Sequence, residues 1–363
     1  MSAAPDRLAA VVPAGPVEAA LPHSPGVWAE AWKRLRRDRV GMVSLVVVAL
    51  FLVLVLLAQA GLVAADWQRQ VAEPFAPPTI VGPAEPDDVA ADPAKQPPNV
   101  DLSNVDPLAS RYAEWNRRAA EVKTEIVVKS PTRPLGADRL GRDVLAKAIK
   151  GAQISILVGI AAALLATLIG TVLGALAGYF GGWIDDGLEW LYNVFTAMPY
   201  ILLIFALAAV FKSGPLAKTF TNGIAAIVII LGAVGWTGIY RLIRAEYIKH
   251  RSREYVRAAE AIGVSHLARI FGHILPNVSH VVLVQLSLNV VNFIKAEVIL
   301  SFLGLGVPID MVSWGTMLSD AQTEMVLGYW WQLVAATVFM AVFVTAFALL
   351  TDALRDAMDP KLR

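Results

Sequence analysis

Long apolar runs separated by short polar segments dominate this chain. Six such runs occur, at roughly residues 41–64, 153–178, 188–211, 223–243, 277–302 and 331–354. Each is close to the ~20 residues that a helix needs to cross a bilayer. Pro199 lies inside the third run and predicts a kink. In the second, Gly170, Gly174 and Gly178 recur at every fourth position and predict tight helix packing. The pattern predicts an all-α integral membrane protein with about six transmembrane helices.

The first apolar run has features of both a cleaved signal and a membrane anchor. Basic residues from Lys33 to Arg39 precede it, and Ala58-Gln59-Ala60 has the character of a cleavage site. However, the run is longer than the roughly 7–15 apolar residues of a signal, and further spans follow. We therefore expect an uncleaved first helix within residues 33–65. The Ala- and Pro-rich segment before it predicts a disordered cytoplasmic N-terminus over residues 1–32.

A long segment, residues 66–152, separates the first two predicted spans. Its first part is proline-rich and irregular. A four-and-three apolar spacing follows and predicts one stripe on a helix. The stripe residues are Leu108, Tyr112, Trp115, Ala119, Val122 and Ile126. The favoured interpretation is a helix packed on the protein's own outer surface. The alternative is a helix that contacts the membrane surface or an extracytoplasmic partner.

The distribution of charge indicates the orientation of the spans. Charged residues make up only 17% of the chain, and 56% is hydrophobic, compared with about 25% charged residues in soluble domains. Basic residues cluster at Lys33–Arg39, at Arg241–Arg269 and in the tail after Arg355. All three clusters fall on one side of the six-span arrangement, so both termini are predicted to be cytoplasmic and residues 66–152 extracytoplasmic. Because each cluster flanks a span, topology accounts for it without nucleic-acid binding.

The sequence lacks the motifs of several enzyme classes. It contains no cysteine and no Gly-Lys pair, so it has no thiolate site and no phosphate-binding loop of the Walker type. His266, His273 and His280 are seven residues apart, which is about 10.5 Å per step along a helix and too far to share one metal. We therefore predict no catalytic residues and no metal site on this chain.

The fifth predicted span is unusually polar. It contains Gln285, Asn289, Asn292, Lys295 and Glu297. Ionisable groups inside a membrane are costly and generally face a bundle interior or an aqueous cavity. The first three share one helix face, whereas Lys295 and Glu297 are two residues apart and point to different sides. Two interpretations stay open: hydrogen bonding that fixes helix packing, or a polar lining for a translocation path.

Between the fourth and fifth spans, a polar loop at residues 245–275 predicts a short exposed helix. Good helix formers run from Arg251 to Ile262, and Gly263 lies where a left-handed residue would end the helix. Pro276 then suits the first turn of the next span. These properties indicate a cytoplasmic element that docks on a partner.

This loop resembles the EAA loop of ABC importer permeases, the coupling helix that contacts the ATPase subunit. The matching residues are Arg257-Ala258-Ala259, Gly263 and Leu275-Pro276. The family usually has glutamate and isoleucine where this chain has Arg257 and His273. The arginine form, after Glu254 and Tyr255, is similar to the peptide-importer branch.

Three further stretches resemble the same branch in the expected order. They are Pro134–Leu145, Glu297–Gly306 with Ser313–Leu318, and Leu354–Arg363. Lys295 departs from the family, and roughly residues 66–130 match no pattern of it. The resemblance covers about residues 33–363.

The resemblance implies a type I ABC importer permease fold, with residues 66–152 inserted between the first two helices and a core permease domain at 153–363. It implies a bacterial inner-membrane location and these partners: a second permease subunit in a heterodimer, two ATPase subunits that hold ATP and Mg, an extracytoplasmic binding protein and membrane lipid. It assigns coupling to Glu254, Tyr255, Arg257, Ala258, Ala259, Gly263, Leu275 and Pro276. Asn289, Asn292, Lys295 and Glu297 are candidates for the path.

More than one interpretation is open for the cargo and for the transport mechanism. A peptide is the expected cargo, but nickel-type and some sugar importers share the subfamily. An ATPase-independent channel or secondary transporter would need no ATPase partner, and an intramembrane enzyme would need a convergent catalytic set that the sequence does not display.

Overall fold

The computed structural model describes residues 32–83, 106–121, 129–213, 223–308 and 310–358. Its regular elements within these ranges are helices, and the extended contacts between residues 70 and 143 are isolated bridges. The helices are α1 Arg39–Gln59, α2 Tyr112–Glu121, α3 Val144–Phe180, α4 Gly182–Thr196, α5 Tyr200–Ser213, α6 Gly223–Gly235, α7 Thr237–Arg251, α8 Glu254–Ala261, α9 Leu275–Phe302, α10 Trp314–Val326 and α11 Trp331–Met358. A 3₁₀ turn, Ala109–Arg111, precedes α2, and a π-helical stretch, Ala268–Ile274, leads into α9. The sequence predicts disorder for residues 1–32; of these, residues 1–31 lie outside the described residues, and Trp32 is helical.

The helices include enough long apolar segments for four to six spans. Within the described residues, α1, α3, the continuous helix Ala268–Phe302 and α11 each suffice alone. The α4–α5 pair is bent by 86° and the α6–α7 pair by 42°, and each pair is long enough for one further span. The break between α4 and α5 contains Pro199, whose missing N–H interrupts the helical hydrogen bonds. The predictions of an all-α membrane protein and of a kink at Pro199 are confirmed.

The second span is longer than the apolar run predicts. Helix α3 begins at Val144, not at residue 153. The carboxylate of Asp143 caps this end, because it accepts hydrogen bonds from the backbone N–H of Leu145 at 2.8 Å and of Ala146 at 3.3 Å. Lys147 and Lys150 lower the hydropathy of the first turns without breaking the helix. The inserted segment therefore ends at the cap.

The three glycines of α3 lie against the backbone of α7. A β-carbon at Gly170 would be 2.6 Å from the Trp236 carbonyl oxygen, and one at Gly174 would be 2.7 Å from that of Tyr240. At Gly178 it would be 2.5 Å from the carbonyl oxygen of Arg244. The two helix backbones thus touch over three turns, and the predicted tight packing is confirmed.

A buried ionic cluster joins the end of the outer segment to the helices. The Asp138 carboxylate accepts from Arg142 Nε at 2.7 Å and from Lys147 Nζ at 2.9 Å. The same ammonium group donates to Gln332 Oε1 on α11 at 2.8 Å and lies 3.4 Å from Asp320 Oδ2 on α10. Burial alone would raise the pKa of Asp138, but the charges and hydrogen bonds of Lys147 and Arg142 outweigh it and hold this pKa below its usual value. The ammonium group of Lys147 therefore ties Asp138 of the outer segment to α3, α10 and α11.

Helix α2 forms where the apolar stripe predicts it, but its described stripe residues are exposed and do not show the predicted packing on the protein's own surface. The side chains of Leu108, Tyr112 and Trp115 are exposed. Its contacts are local: the hydroxyl of Tyr112 donates to Asp106, and Glu114 pairs with Arg118 at 2.5 Å. The other stripe positions, Val122 and Ile126, lie outside the described residues.

Replacement of Gly174 by alanine should separate α3 from α7. The added methyl group meets a rigid backbone carbonyl, and overpacking of this kind costs typically about 1–3 kcal/mol. Gly238→Ala, on α7 itself, makes the same chemical change where no atom lies within 4 Å. We expect a lower thermal unfolding midpoint in detergent for Gly174→Ala only. Equal unfolding midpoints for the two variants would show that the contact between α3 and α7 can accommodate the added methyl group.

Asp138→Asn should destabilise the protein at neutral pH, because it leaves Lys147 buried without its closest carboxylate. Loss of one member of a buried pair costs about 3–5 kcal/mol. Since the folded-state pKa of Asp138 is lowered, its contribution is present above the unfolded value of about 3.9 and is lost as pH falls through the folded value. Unfolding midpoints measured from pH 7 to pH 3 should therefore converge for wild type and variant at the acid end. Asp320→Asn, at a longer distance and a more exposed site, serves as the control with a smaller effect.

Candidate coupling loop and polar face of α9

Helix α8 lies on the membrane helices by one narrow face. Val256 and Ala259, three residues apart, are buried. Val256 belongs to an apolar cluster with Ile243 and Tyr247 of α7 and with Ile270 of the π-helical stretch. The opposite face, with Glu254, Arg257 and Ala258, is exposed. The helix is therefore anchored to the spans and open to a partner.

The end of α8 is fixed by a Schellman motif. Gly263 has a φ of +82°, its N–H donates to the Glu260 carbonyl at 2.9 Å, and the N–H of Val264 donates to the Ala259 carbonyl at 3.0 Å. No atom lies within 4 Å of the place where a β-carbon would stand. Glycine is thus required at this position by the backbone conformation and not by a lack of space. The predicted helix stop at Gly263 is confirmed.

An ion pair holds the loop after α8 in place. Glu260 Oε1 lies 2.9 Å from Arg269 Nη1, and the largely buried guanidinium of Arg269 also contacts His266 Nδ1 at 3.0 Å. The hydrogen bond from Arg269, and then its charge, lower the pKa of Glu260. The hydroxyl of Tyr179, at the end of α3, contacts the same imidazole nitrogen at 3.0 Å. The loop is therefore connected to the second span by side-chain hydrogen bonds.

Two further contacts secure the helices from which the loop projects. The Tyr247 hydroxyl of α7 donates to the Ile270 carbonyl at 3.0 Å, inside the buried cluster. Arg244 of α7 forms two hydrogen bonds, of 2.5 Å and 2.8 Å, with the carboxylate of Asp185 on α4. Because the fork geometry fixes both side chains, α4, α7 and the π-helical stretch form one support for α8.

An apolar patch surrounds the exposed face of α8. Ile262, next to the helix-ending glycine, is 80% exposed, and Leu267, Phe271 and Tyr255 are exposed as well. The sequence motif and its spacing assigned Tyr255 to the site, but not Ile262, Leu267 or Phe271. An isoleucine directly before Gly263 in a polar loop was the signal that could have identified the patch. Exposed apolar groups in one place are typical of an interaction surface.

The end of the loop differs from the prediction. Leu275 is the first residue of α9, but the π-helical stretch Ala268–Ile274 runs directly into it, so Pro276 lies inside the continuous helix Ala268–Phe302, where its missing N–H interrupts the helical hydrogen bonds. Leu275 packs against the same apolar cluster as Val256. The eight predicted coupling residues are thus brought into one region, although Pro276 itself is exposed and belongs to the start of the span.

Glu297 is fully buried and holds α9 against α3. Its carboxylate accepts hydrogen bonds from Ser155 Oγ of α3 at 2.7 Å and from Ser301 Oγ one turn later at 2.6 Å. Ser155 Oγ accepts from the Trp314 N–H at 3.2 Å, and Ser301 Oγ accepts from the Val307 N–H at 3.3 Å. The carboxylate therefore organises the junction of α3, α9 and the start of α10.

The polar residues of α9 divide between two sides. Asn289 is buried, with Gln285 Nε2 at 3.3 Å from its Oδ1 and Thr167 Oγ1 of α3 at 3.4 Å from its Nδ2. Asn292 and Lys295 are exposed. The prediction that Lys295 and Glu297 point to different sides is confirmed. The structure thus separates the four candidate residues into a buried pair and an exposed pair.

Glu297→Ala should weaken the junction of α3, α9 and α10. It leaves the buried hydroxyl groups of Ser155 and Ser301 without their acceptor, and each unsatisfied group costs about 1–3 kcal/mol. Glu297→Gln keeps one acceptor oxygen and should cost less. We expect the order wild type, Glu297→Gln, Glu297→Ala in thermal midpoint, with the exposed Lys295→Met close to wild type. A midpoint for Glu297→Ala equal to that of wild type would contradict the assigned role.

Comparison with known protein families finds two matches along the chain. Residues 170–363 match the model of the binding-protein-dependent transport system inner membrane component. Residues 26–98 match the N-terminal transmembrane domain of oligopeptide transport permease C.

Individual relatives agree with these matches. The oligopeptide transport system permease protein of Escherichia coli (strain K12) is 40% identical over 228 residues, which are 63% of this chain and 72% of that protein. The dipeptide transport system permease protein of Bacillus subtilis (strain 168) is 34% identical over 228 residues, 63% of this chain and 68% of the relative. The Haemophilus influenzae oligopeptide permease protein is 37% identical over 261 residues, 71% and 78% of the two chains.

Proposed function

The chain belongs to the family of binding-protein-dependent transport system inner membrane components, and from this we propose how it couples ATP hydrolysis on a separate subunit to the passage of a peptide. It is a multi-pass inner-membrane permease subunit of an ABC importer, a transport component and not an enzyme. The proposal concerns its docking surface, its half of the path and its cargo.

The observation that supports the coupling role is the asymmetry of α8. One face, through Val256, is packed into the apolar cluster of the membrane helices, while Ile262 on the other side is open to the surroundings. A partner that covers the exposed patch gains buried apolar area, and any movement of that partner acts on α7, α9 and α3 through side chains in contact. The Glu260–Arg269 pair stiffens the connection.

We propose that this partner is an ATPase subunit, one of two in the complex. Closure of the ATPases on ATP would move α8 and the residues predicted from the sequence, Glu254 to Gly263, and would switch the paired permeases between inward- and outward-facing states. ATP and Mg would be held on the ATPase subunits, in agreement with the lack of a phosphate-binding loop in this sequence. This chain would contribute docking and transmitted motion, with no covalent chemistry.

The other half of the path would come from a second permease subunit, and an extracytoplasmic binding protein would deliver the cargo. We propose that the exposed pair Asn292 and Lys295 faces this path, whereas the buried pair Asn289 and Glu297 holds α9 against α3. Such a division follows from burial, because a charged side chain inside the bilayer is favoured only beside water or a polar partner. Relatives are named as oligopeptide and dipeptide permeases, which supports a peptide as cargo.

The orientation follows the basic residues. Segments Arg241–Arg269 and the residues after Arg355 carry clustered lysine and arginine, so we place both termini and α8 in the cytoplasm. Residues 66–143 then lie outside, where the binding protein would dock. This arrangement puts the ATPase and the binding protein on opposite sides of the membrane.

The docking proposal is tested by Ile262→Asp. A charge in the centre of the exposed patch should release the ATPase subunits from the complex purified through a tag on this chain, and uptake into vesicles should fall with it. Because the side chain is 80% exposed, the fold itself should not suffer. Ile80→Asp is a matched control for retention of the ATPase, since Ile80 is 93% exposed in the outer segment, on the side of the membrane opposite to α8.

Two results would overturn the proposal. One is that Ile262→Asp retains the ATPase and transports at the wild-type rate. The other is transport by this chain alone in vesicles without any ATPase, which would identify an independent channel or secondary transporter.

A further inference from the structure

A groove with a volume of about 340 Å³ opens between α7, α9 and α11, away from the exposed face of α8. Apolar side chains form most of its wall, and three polar side chains join them. The lining residues are Leu242, His280, Val281, Val284, Gln285, Leu288, Arg355 and Met358. Neither the coupling role nor the proposed path accounts for this groove.

The groove has a polar end and an apolar end along the membrane normal. Arg355 lies in the last turn of α11 and His280 near the start of α9, so the two antiparallel helices bring both groups to the same end. Leu288 follows His280 by eight residues, which places it about 12 Å deeper along the helix. A molecule in the groove would meet hydrogen-bond donors at the membrane boundary and mainly hydrocarbon further in, where Gln285, whose amide bonds to Asn289, is the polar side chain among the described lining residues.

The charge at the polar end is positive and uncompensated within the groove. Of the described residues that line it, none carries a carboxylate. In the described part of the chain, no ion pair involves Arg355 or His280, although Asp352 and Asp356 lie nearby on α11, outside the lining. The polar end therefore complements an anion.

Exposed apolar side chains on the helices that form the groove favour a hydrocarbon environment around it. Leu242 and Leu288 line the groove, and Ile248 on α7 and Leu349 on α11 are exposed elsewhere on the same helices. A water-filled pocket or a site for a polar ligand would not be expected among such neighbours. A ligand with a long apolar part would fit the apolar wall of the groove, and an anionic head group on the same ligand would fit the polar end.

We propose that the groove binds an anionic phospholipid, with the phosphate at Arg355 and His280 and an acyl chain along Val284 and Leu288. Basic pockets between transmembrane helices at the cytoplasmic boundary recognise lipid headgroups in this way. The assignment rests on the proposed function, whose orientation puts this end of α9 and α11 at the cytoplasmic leaflet. Since α9 also carries the proposed path residues, a bound lipid would steady that helix against α11.

The test measures lipid retained by the full complex, purified through a tag on this chain. The complex is equilibrated in detergent with phosphatidylglycerol or phosphatidylcholine of the same acyl composition, and bound lipid is counted by native mass spectrometry. We expect preferential retention of phosphatidylglycerol. Arg355→Gln should weaken that retention about fivefold, the effect of one charge beside an anionic surface, and His280→Gln should weaken it further.

Two matched variants separate headgroup binding from general effects. Lys249→Gln removes a positive charge at the same boundary but outside the groove, so retention should change less than about twofold, well under the effect of one charge at the headgroup. Val284→Trp fills the apolar part and should reduce retention of both lipids. Equal retention of the two lipids by wild type, or unchanged phosphatidylglycerol binding in Arg355→Gln, would overturn the proposal.

The competing occupant is the second permease subunit. Because the chain contains no cysteine, Val284→Cys gives a single attachment point for a photo-crosslinker. A lipid adduct supports the proposal, and an adduct with the mass of another permease chain overturns it. The ATPase content of the same samples is measured separately. Loss of lipid with the ATPase retained counts against the lipid site alone. Absence of the ATPase with lipid retained counts against the coupling role alone.

Discussion

The contact of α3 with α7 through backbone atoms is the constraint on which the rest of the structure depends. At Gly170, Gly174 and Gly178 the backbone of α3 lies against carbonyl oxygens of residues 236–244 and against the side chains of Ile239, Ile243 and Tyr247, so no space is left for a larger residue. In a membrane, where lipid is as apolar as leucine, such close packing replaces the hydrophobic effect as the source of association. Helix α7 is thereby fixed to the longest helix of the described chain.

The position of the coupling loop follows from that contact. Helix α7 continues out of the bundle and leads directly to α8. Tyr179, at the far end of α3, contacts His266 in the loop that follows α8. Arg244 links α7 to α4 on the other side. A force applied at Ile262 therefore meets a support made of several spans. That property suits the proposed coupling to an ATPase subunit, in which motion would pass between subunits without being absorbed by a flexible hinge.

Buried carboxylates also connect the helices to one another, at the other end of the bundle. Asp138 joins the outer segment to three helices through Lys147 and Gln332, and Glu297 joins α9 to α3 and to the start of α10. Both lie in stretches whose sequence resembles the permease family. Their chemistry explains why a charged residue is retained in an apolar setting: Glu297 accepts from donors on two helices, and Asp138 pairs with the Lys147 ammonium group that also bonds to α11, and no apolar residue can do so.

By itself, the sequence determined the helical class, the approximate spans, the kink at Pro199, the stop at Gly263 and the family, because these depend on local hydropathy, backbone chemistry and short motifs. Only the tertiary structure decided which polar residues of α9 are buried, that α3 extends back to Val144, that the described stripe residues of α2 are exposed, and that Ile262 is part of an exposed apolar patch. The physical reason is that burial depends on which helices become neighbours. Asn289 and Asn292 have the same side chain on the same helix, and the position of α3 alone separates them.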